Sequence, residues 1–203
     1  MSQKTTGIHK IFSYPLVYSI TQKIMSGESK RSSIVKNKIK KDSFILDIGC
    51  GTGKILDDLP IVNYFGYDIS YEYINYAKKK YENKRIKFFC KKFSTKDILN
   101  IPKFDYVFLF GVMHHLSDYQ LKYLLKLIKG VLKKNGKLLT CDPILLKKQN
   151  IVSRILITND VGKNVRYKKE YLNLLKSSFK KINCKIDHQK FIPYDWFSTI
   201  CKR

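Results

Sequence analysis

A chain of 203 residues with 44% apolar side chains has the length and composition of one α/β domain with a substantial core. Its 40 Lys and Arg against 16 Asp and Glu give a formal charge of +24, which predicts salt-dependent adhesion to polyanions. The cations are mostly Lys, spread over the whole length beside a single Ala (Ala77), so solvated faces and AT-rich coding account for much of that charge. No apolar run approaches the roughly 18 residues of a membrane span, and the polar start lacks the apolar centre of a signal peptide. Five cysteines without a C-x-x-C pair suggest neither a disulfide framework nor zinc, and the expected compartment is the cytoplasm.

In chain order, the first element is an apolar segment over 11–25, helical after Pro15 and expected to pack over a ligand mouth with Tyr18 available to a substrate. Phe44-Ile45-Leu46 then reads as a strand leading through Asp47-Ile48-Gly49-Cys50-Gly51-Thr52-Gly53 to a helix near Lys54. Such a turn bends without Cβ atoms and offers free N–H groups to a polar ligand. A dinucleotide fingerprint would need glycine where Lys54 stands, and a P-loop would need Ser or Thr where Ile55 stands. An acid, Asp47, at the entry suits a ligand with a cationic amine rather than one led by a pyrophosphate.

Tyr64-Phe65-Gly66-Tyr67-Asp68 reads as a second strand ending in an acid. Ser70 can cap a helix over 71–82 whose Tyr73, Ile74, Ala77 and Tyr81 share a face. Cys90 and Cys141 lie in apolar strand-like runs and read as small core residues. The apolar run 104–110 suits a parallel strand buried on both faces. Leu121, Leu124, Leu125, Ile128 and Leu132 repeat at helical spacing, a structural helix. Residues 147–176 suggest one or two helices around a break at Thr158-Asn159-Asp160-Val161-Gly162, and 179–201 two antiparallel strands. His9 and His188 read as structural.

The string Asp47–Gly53 resembles motif I of the class I S-adenosylmethionine-dependent methyltransferases. Asp68 at the end of the second strand, Gly111-Val112-Met113-His114-His115-Leu116 after the fourth, and Leu132-Lys133-Lys134-Asn135-Gly136-Lys137-Leu138-Leu139 follow the same plan. The resemblance covers residues 40–145 well and the flanks more weakly. It implies a Rossmann-like three-layer α/β sandwich around a seven-stranded, mostly parallel sheet whose last strand is antiparallel. The single domain then comprises an N-terminal helical cap (1–40), a cofactor-binding core (41–145), and substrate-side helices with C-terminal strands (146–203).

The resemblance also implies a site for S-adenosylmethionine, which leaves as S-adenosylhomocysteine. The amino-acid end of the cofactor is expected over Gly49, Cys50, Gly51 and Gly53 with Asp47 nearby, the ribose on Asp68, and Ile69 and Gly111 beside them. Lys92 stands where the family usually has an acid or amide for the adenine amine. A Lys cannot accept from that amine, so the adenine falls to Phe93, backbone, Ser94 or Asp97.

His114 and His115 follow the fourth strand at its carboxyl end, where ligands of open α/β sheets bind. One of them is expected to face the acceptor as base, since histidine titrates near neutrality. The other reading of the pair is a polar loop in which one His caps the next helix. Asp142 before Pro143 is a second base or an orienting residue, or a turn-maker. No metal is expected, because no clustered acids are visible. Asn159–Arg166 and Ile192–Trp196 resemble, in part, small methyltransferases of polysaccharide and glycolipid biosynthesis. Arg166, Tyr194 and Trp196 are therefore candidates for contact with an anionic or polyhydroxylated acceptor.

Three functions remain open. The first is methylation of a small molecule, with an O-linked sugar or glycolipid hydroxyl as the most specific form. The second is RNA or protein modification using the basic surface, and the third is cofactor binding without activity.

Overall fold

The computed structural model describes residues 28–159, 162–189 and 193–203. The expectations for 11–25, with Tyr18 and His9, and those for Asp160, Val161 and Ile192 fall outside them. Helix α1 (Glu28–Val35) precedes β1 (Phe44–Ile48), and β2 (Asn63–Asp68), α2 (Tyr71–Tyr81), β3 (Ile86–Cys90) and the short α3 (Thr95–Ile98) follow. Next come β4 (Phe104–Phe110), α4 (Asp118–Val131), β5 (Leu132–Leu145), α5 (Ile151–Thr158), β6 (Arg166–Tyr167), α6 (Lys168–Lys176), β7 (Lys181–Gln189) and β8 (Tyr194–Lys202).

The sheet runs β3-β2-β1-β4-β5-β8-β7, with the two-residue β6 paired to β5 off that path. Strands β1 to β5 are parallel, while β8 runs antiparallel to both neighbours. This is the Rossmann-like, mostly parallel arrangement the resemblance implies. Its order reverses between β1 and β4, which opens a crevice at the carboxyl ends of those strands. Two apolar layers sandwich the sheet. On one face Leu121, Leu125 and Ile128 of α4 pack with Tyr171 and Leu175 of α6. On the other, Ile34 and Val35 of α1 join Ile74 and Ala77 of α2 and Ile157 of α5.

Local chemistry explains the caps. Ser70 Oγ accepts from the Tyr73 N–H at the start of α2, and Ser117 with Gln120 forms a reciprocal capping box on α4. Four sequence expectations are corrected. The helix near Lys54 is a five-residue 3-10 segment, Lys54–Asp58; Pro60 disfavours helical conformation at Leu59 and ends it. Tyr73 is exposed, because the buried stripe of α2 runs through Ile74 and Ala77 and leaves position 73 on its flank. Leu132 opens β5 rather than closing α4; Phe104 pairs with Leu132 and Tyr106 with Lys137, so residues 133–136 bulge between the two pairings. Cys90 is exposed near the sheet edge formed by β3, whereas Cys141 in the central β5 is buried.

Candidate active site

Gly49, Gly51 and Gly53 all take positive φ, at 77°, 54° and 71°, a region L side chains rarely enter. A Cβ at Gly49 would lie 2.4 Å from Cγ2 of Val112, so the chain after β4 closes over the turn. Beside Gly51 nothing lies within 4 Å of such a Cβ, which leaves open space over that backbone. The carboxylate of Asp68 is fixed at this edge: Oδ2 accepts from the Gly51 N–H at 2.9 Å, and Oδ1 from the Ser70 N–H at 2.9 Å.

Asp47 sits beneath the turn. It is buried, and its Oδ2 accepts from the Tyr64 hydroxyl at 2.6 Å. Its Oδ1 is buried with no partner among the described residues. Burial pushes its pKa up to about 7; the Tyr64 hydrogen bond and the charge of Arg31 pull the other way, and Asp68 adds to the rise. Arg31 reaches in from α1. Its Nη2 lies 2.4 Å from where a Cβ on Gly111 (φ 67°) would stand, and its Nε is buried without a partner among the described residues. Sequence reasoning did not single out Arg31. It is one cation among 40 on a short helix, and the close approach over Gly111 is a long-range fact.

The segment after β4 carries the second cluster. Its 3-10 turn, Met113–His115, turns the His114 ring inward, 5% exposed, and leaves His115 exposed. His114 Nδ1 is 2.7 Å from Asp142 Oδ1, which also accepts the His114 backbone N–H at 3.1 Å. Asp142 is fully buried on β5, and its Oδ2 has no partner among the described residues. The two histidine rings lie 4.1 Å apart at 39°. A Cβ on Gly162 would fall 1.9 Å from His114 Cδ2, so glycine is required there by contact. That requirement left no mark in the sequence beyond a glycine within a predicted break.

Arg166 holds this segment in shape. Nε and Nη2 donate to Asp118 Oδ1, Nη2 also to the Leu116 carbonyl, and Nη1 to the carbonyls of Met113 and Asn164. Its donors are thus committed to protein, and it is not presented to an acceptor. Tyr194 and Trp196 are likewise buried, among Leu139, Cys141, Leu156 and Ile157, rather than laid open as a stacking platform.

Beyond Asp68, around the end of β3, the structure gathers apolar surface. Ile69 is 69% exposed next to Asp68, and Phe93 is buried edge-on against Tyr67 at 5.3 Å. Lys92 is exposed. Asp97 is committed to the α3 cap, accepting from the Ser94 N–H and Oγ at 2.9 and 2.8 Å and pairing with Lys91 at 2.6 Å.

Among the described residues four buried side-chain atoms lack partners: Arg31 Nε, Asp47 Oδ1, Asp142 Oδ2 and Trp196 Nε1. Asp47 and Asp142 lie toward the carboxyl ends of β1 and β5, with Trp196 paired to Pro143 on β8. Each unsatisfied buried group costs about 1–3 kcal/mol, so their shared location at one end of the sheet marks a place for a polar ligand.

A family profile described as "Methyltransferase domain" matches residues 39–197. An uncharacterized protein of Methanocaldococcus jannaschii is 33% identical over 126 residues, covering 50% of this chain and 48% of the relative. The chain therefore spans about half the length of the curated relative it matches. Among solved structures, a possible exported protein from Bordetella parapertussis aligns with TM-score 0.67 at 12% identity, over 100% of this chain and 74% of that one. Human N-acetylserotonin methyltransferase in complex with SAM aligns with TM-score 0.65 at 17% identity, over 93% and 54% respectively. At such identities the likeness concerns the fold, and it agrees with the profile. With that profile spanning β1 through the first half of β8, the chain belongs to the methyltransferase-domain family and has its class I architecture.

Proposed function

We propose that this protein is an S-adenosylmethionine-dependent methyltransferase acting on the hydroxyl of a small molecule, a sugar or glycolipid hydroxyl being the most specific form. The observation that carries the reading is the buried His114–Asp142 pair set beside the glycine turn and Asp68. The residues present fit the cofactor. Open backbone at Gly51 can lie against it, and Asp68 has acceptor capacity left for a ribose diol. Arg31 and Asp47 offer opposite charges to an α-carboxylate and an α-ammonium, while Ile69 and Phe93 flank the adenine place.

When bound, S-adenosylmethionine supplies an electrophilic methyl group, so the hard chemistry belongs to the cofactor. The protein's part is to position the acceptor and remove a proton. Asp142 accepts the Nδ1–H of His114, which sets the tautomer in which Nε2 is the basic nitrogen. Nε2 takes the hydroxyl proton, and the Asp142 carboxylate balances the imidazolium that results. His115, exposed against the His114 ring, contacts the acceptor at the mouth. Arg166 is a positioning residue that holds the 113–118 segment.

Calorimetry with S-adenosylmethionine tests the shared premise. Labelled-methyl transfer into a glycan and metabolite extract, compared with total RNA, tests the acceptor. Absence of binding by folded protein would sink the reading, and transfer to RNA alone would replace the acceptor class.

A further inference from the structure

At the opposite end of the sheet lies a cleft of about 520 Å³ lined by Lys129, Lys137, Lys180, Lys181, Lys202 and Arg203, with Asn135 and Ser178. The topology gathers them from five places: the last turn of α4, the first half of β5, the chain between α6 and β7, the first residue of β7, and the end of β8 with Arg203 after it. Lys137 and Lys202 are register partners, as are Lys181 and Lys202. Like charges placed opposite one another on a sheet disfavour folding. No carboxylate side chain lines the cleft, and none of its six cations forms a side-chain ion pair among the described residues. Some lysines elsewhere are matched: Lys133 with Asp105, Lys91 with Asp97, Lys80 with Asp57.

Local compensation does not account for the cluster. The carboxyl ends of α4 and α6 point this way, and each helix end carries about half a negative charge. Together they set about −1 against six cations.

We propose that this cleft binds the phosphodiester backbone of a nucleic-acid duplex. Lysines suit this as adaptable point charges for phosphates. No aromatic side chain lines the cleft, so it lacks the stacking surface by which single strands are held and the apolar wedge of a membrane-inserting face. Contacts of this kind position a duplex without reading its sequence. From Lys137 to Asp142 is five residues along β5, about 17 Å at the usual strand rise. The cleft is therefore distinct from the methyl-transfer site, and the proposal does not rest on the acceptor assigned there.

The test is fluorescence anisotropy of the full chain with labelled 20-base-pair RNA and DNA duplexes, a single-stranded 20-mer, and tripolyphosphate as competitor, across a salt series. Vesicles containing phosphatidylserine, followed by co-sedimentation, form a parallel arm. Lys180→Gln/Lys181→Gln/Lys202→Gln is compared with the charge-matched Lys78→Gln/Lys79→Gln/Lys84→Gln on and just after α2, all six side chains being exposed. The cleft variant should lose about tenfold or more in duplex affinity and about 2–3 units of salt slope, since each phosphate contact contributes about 0.9. The control should change by less than about threefold. Equal losses in both variants would mean diffuse adhesion of a cationic chain and overturn the proposal. So would preference for the vesicles, for the single strand, or for tripolyphosphate without duplex binding.

Discussion

His114–Asp142 and His188–Asp195 join the same two groups in opposite surroundings. In the first pair both residues are buried and the aspartate keeps one oxygen without a partner among the described residues. In the second, the His188 side chain is 67% exposed, and Asp195 is saturated: His188 Nδ1 on Oδ1, Gln149 Nε2 and Ser153 Oγ on Oδ2. Burial alone would raise the pKa of Asp195, but these donors, from Ser153 first, hold it below the usual carboxylate value. Saturation costs an acid its reactivity and gains it stability. The same side-chain pair can thus serve as a clasp between α5 and the β7–β8 hairpin or as a proton-handling device, and the count of donors around the carboxylate decides which.

The comparison breaks most clearly at His114–Asp142, the pair proposed to handle the proton. Asp142→Asn should lower turnover by about 10²–10⁴-fold, the usual range for a positioned base, with S-adenosylmethionine affinity changed less than about threefold by calorimetry. Asp195→Asn should leave turnover intact; an equal loss there would erase the distinction.

A second test concerns Asp47, which shares the buried, half-satisfied state of Asp142. Folding raises its pKa from 3.8 to about 7, so the folded chain holds this proton more tightly than the unfolded one. That contribution to stability is full below about 4 and is lost as pH rises through about 7, on the order of 4 kcal/mol. In urea titrations Asp47→Asn should therefore show a flatter stability profile between pH 4 and 7 than the natural chain. Identical profiles would mean the proton sits elsewhere.

Asp68→Ala should weaken cofactor binding by about 1.5–3 kcal/mol, as for a hydrogen bond to a charged group. The smallest effect is expected at the exposed partner. His188→Ala should cost less than about 1 kcal/mol in thermal or urea unfolding, as solvent-screened pairs do.

Much of this was readable from the chain because local chemistry dictated it. Three glycines at alternate positions announce a turn with positive φ at each of them, a serine before an amphipathic run announces a cap, and a strand ending in Asp68 announces its place beside that turn. The acceptor side was less legible. Arg166, Tyr194 and Trp196 have the chemistry of ligand contacts, and only the fold spends the first on carbonyls and buries the other two. Arg31 and Gly162 were silent for the converse reason: each matters through a partner 80 or 48 positions away, Gly111 and His114, and no spacing rule spans such distances. The 3-10 segment at Lys54–Asp58 shows a breaker overruling a family pattern.

The contact between Gly162 and the His114 ring, joined by the Asn164 N–H on the His114 carbonyl at 2.9 Å and the Arg166 donors on Met113 and Leu116, latches two distant stretches of chain together. Neither stretch can swing outward without releasing the other. The amide protons of Asn164 and Leu116 should then exchange with solvent at a common rate, and bound acceptor would slow both as one unit.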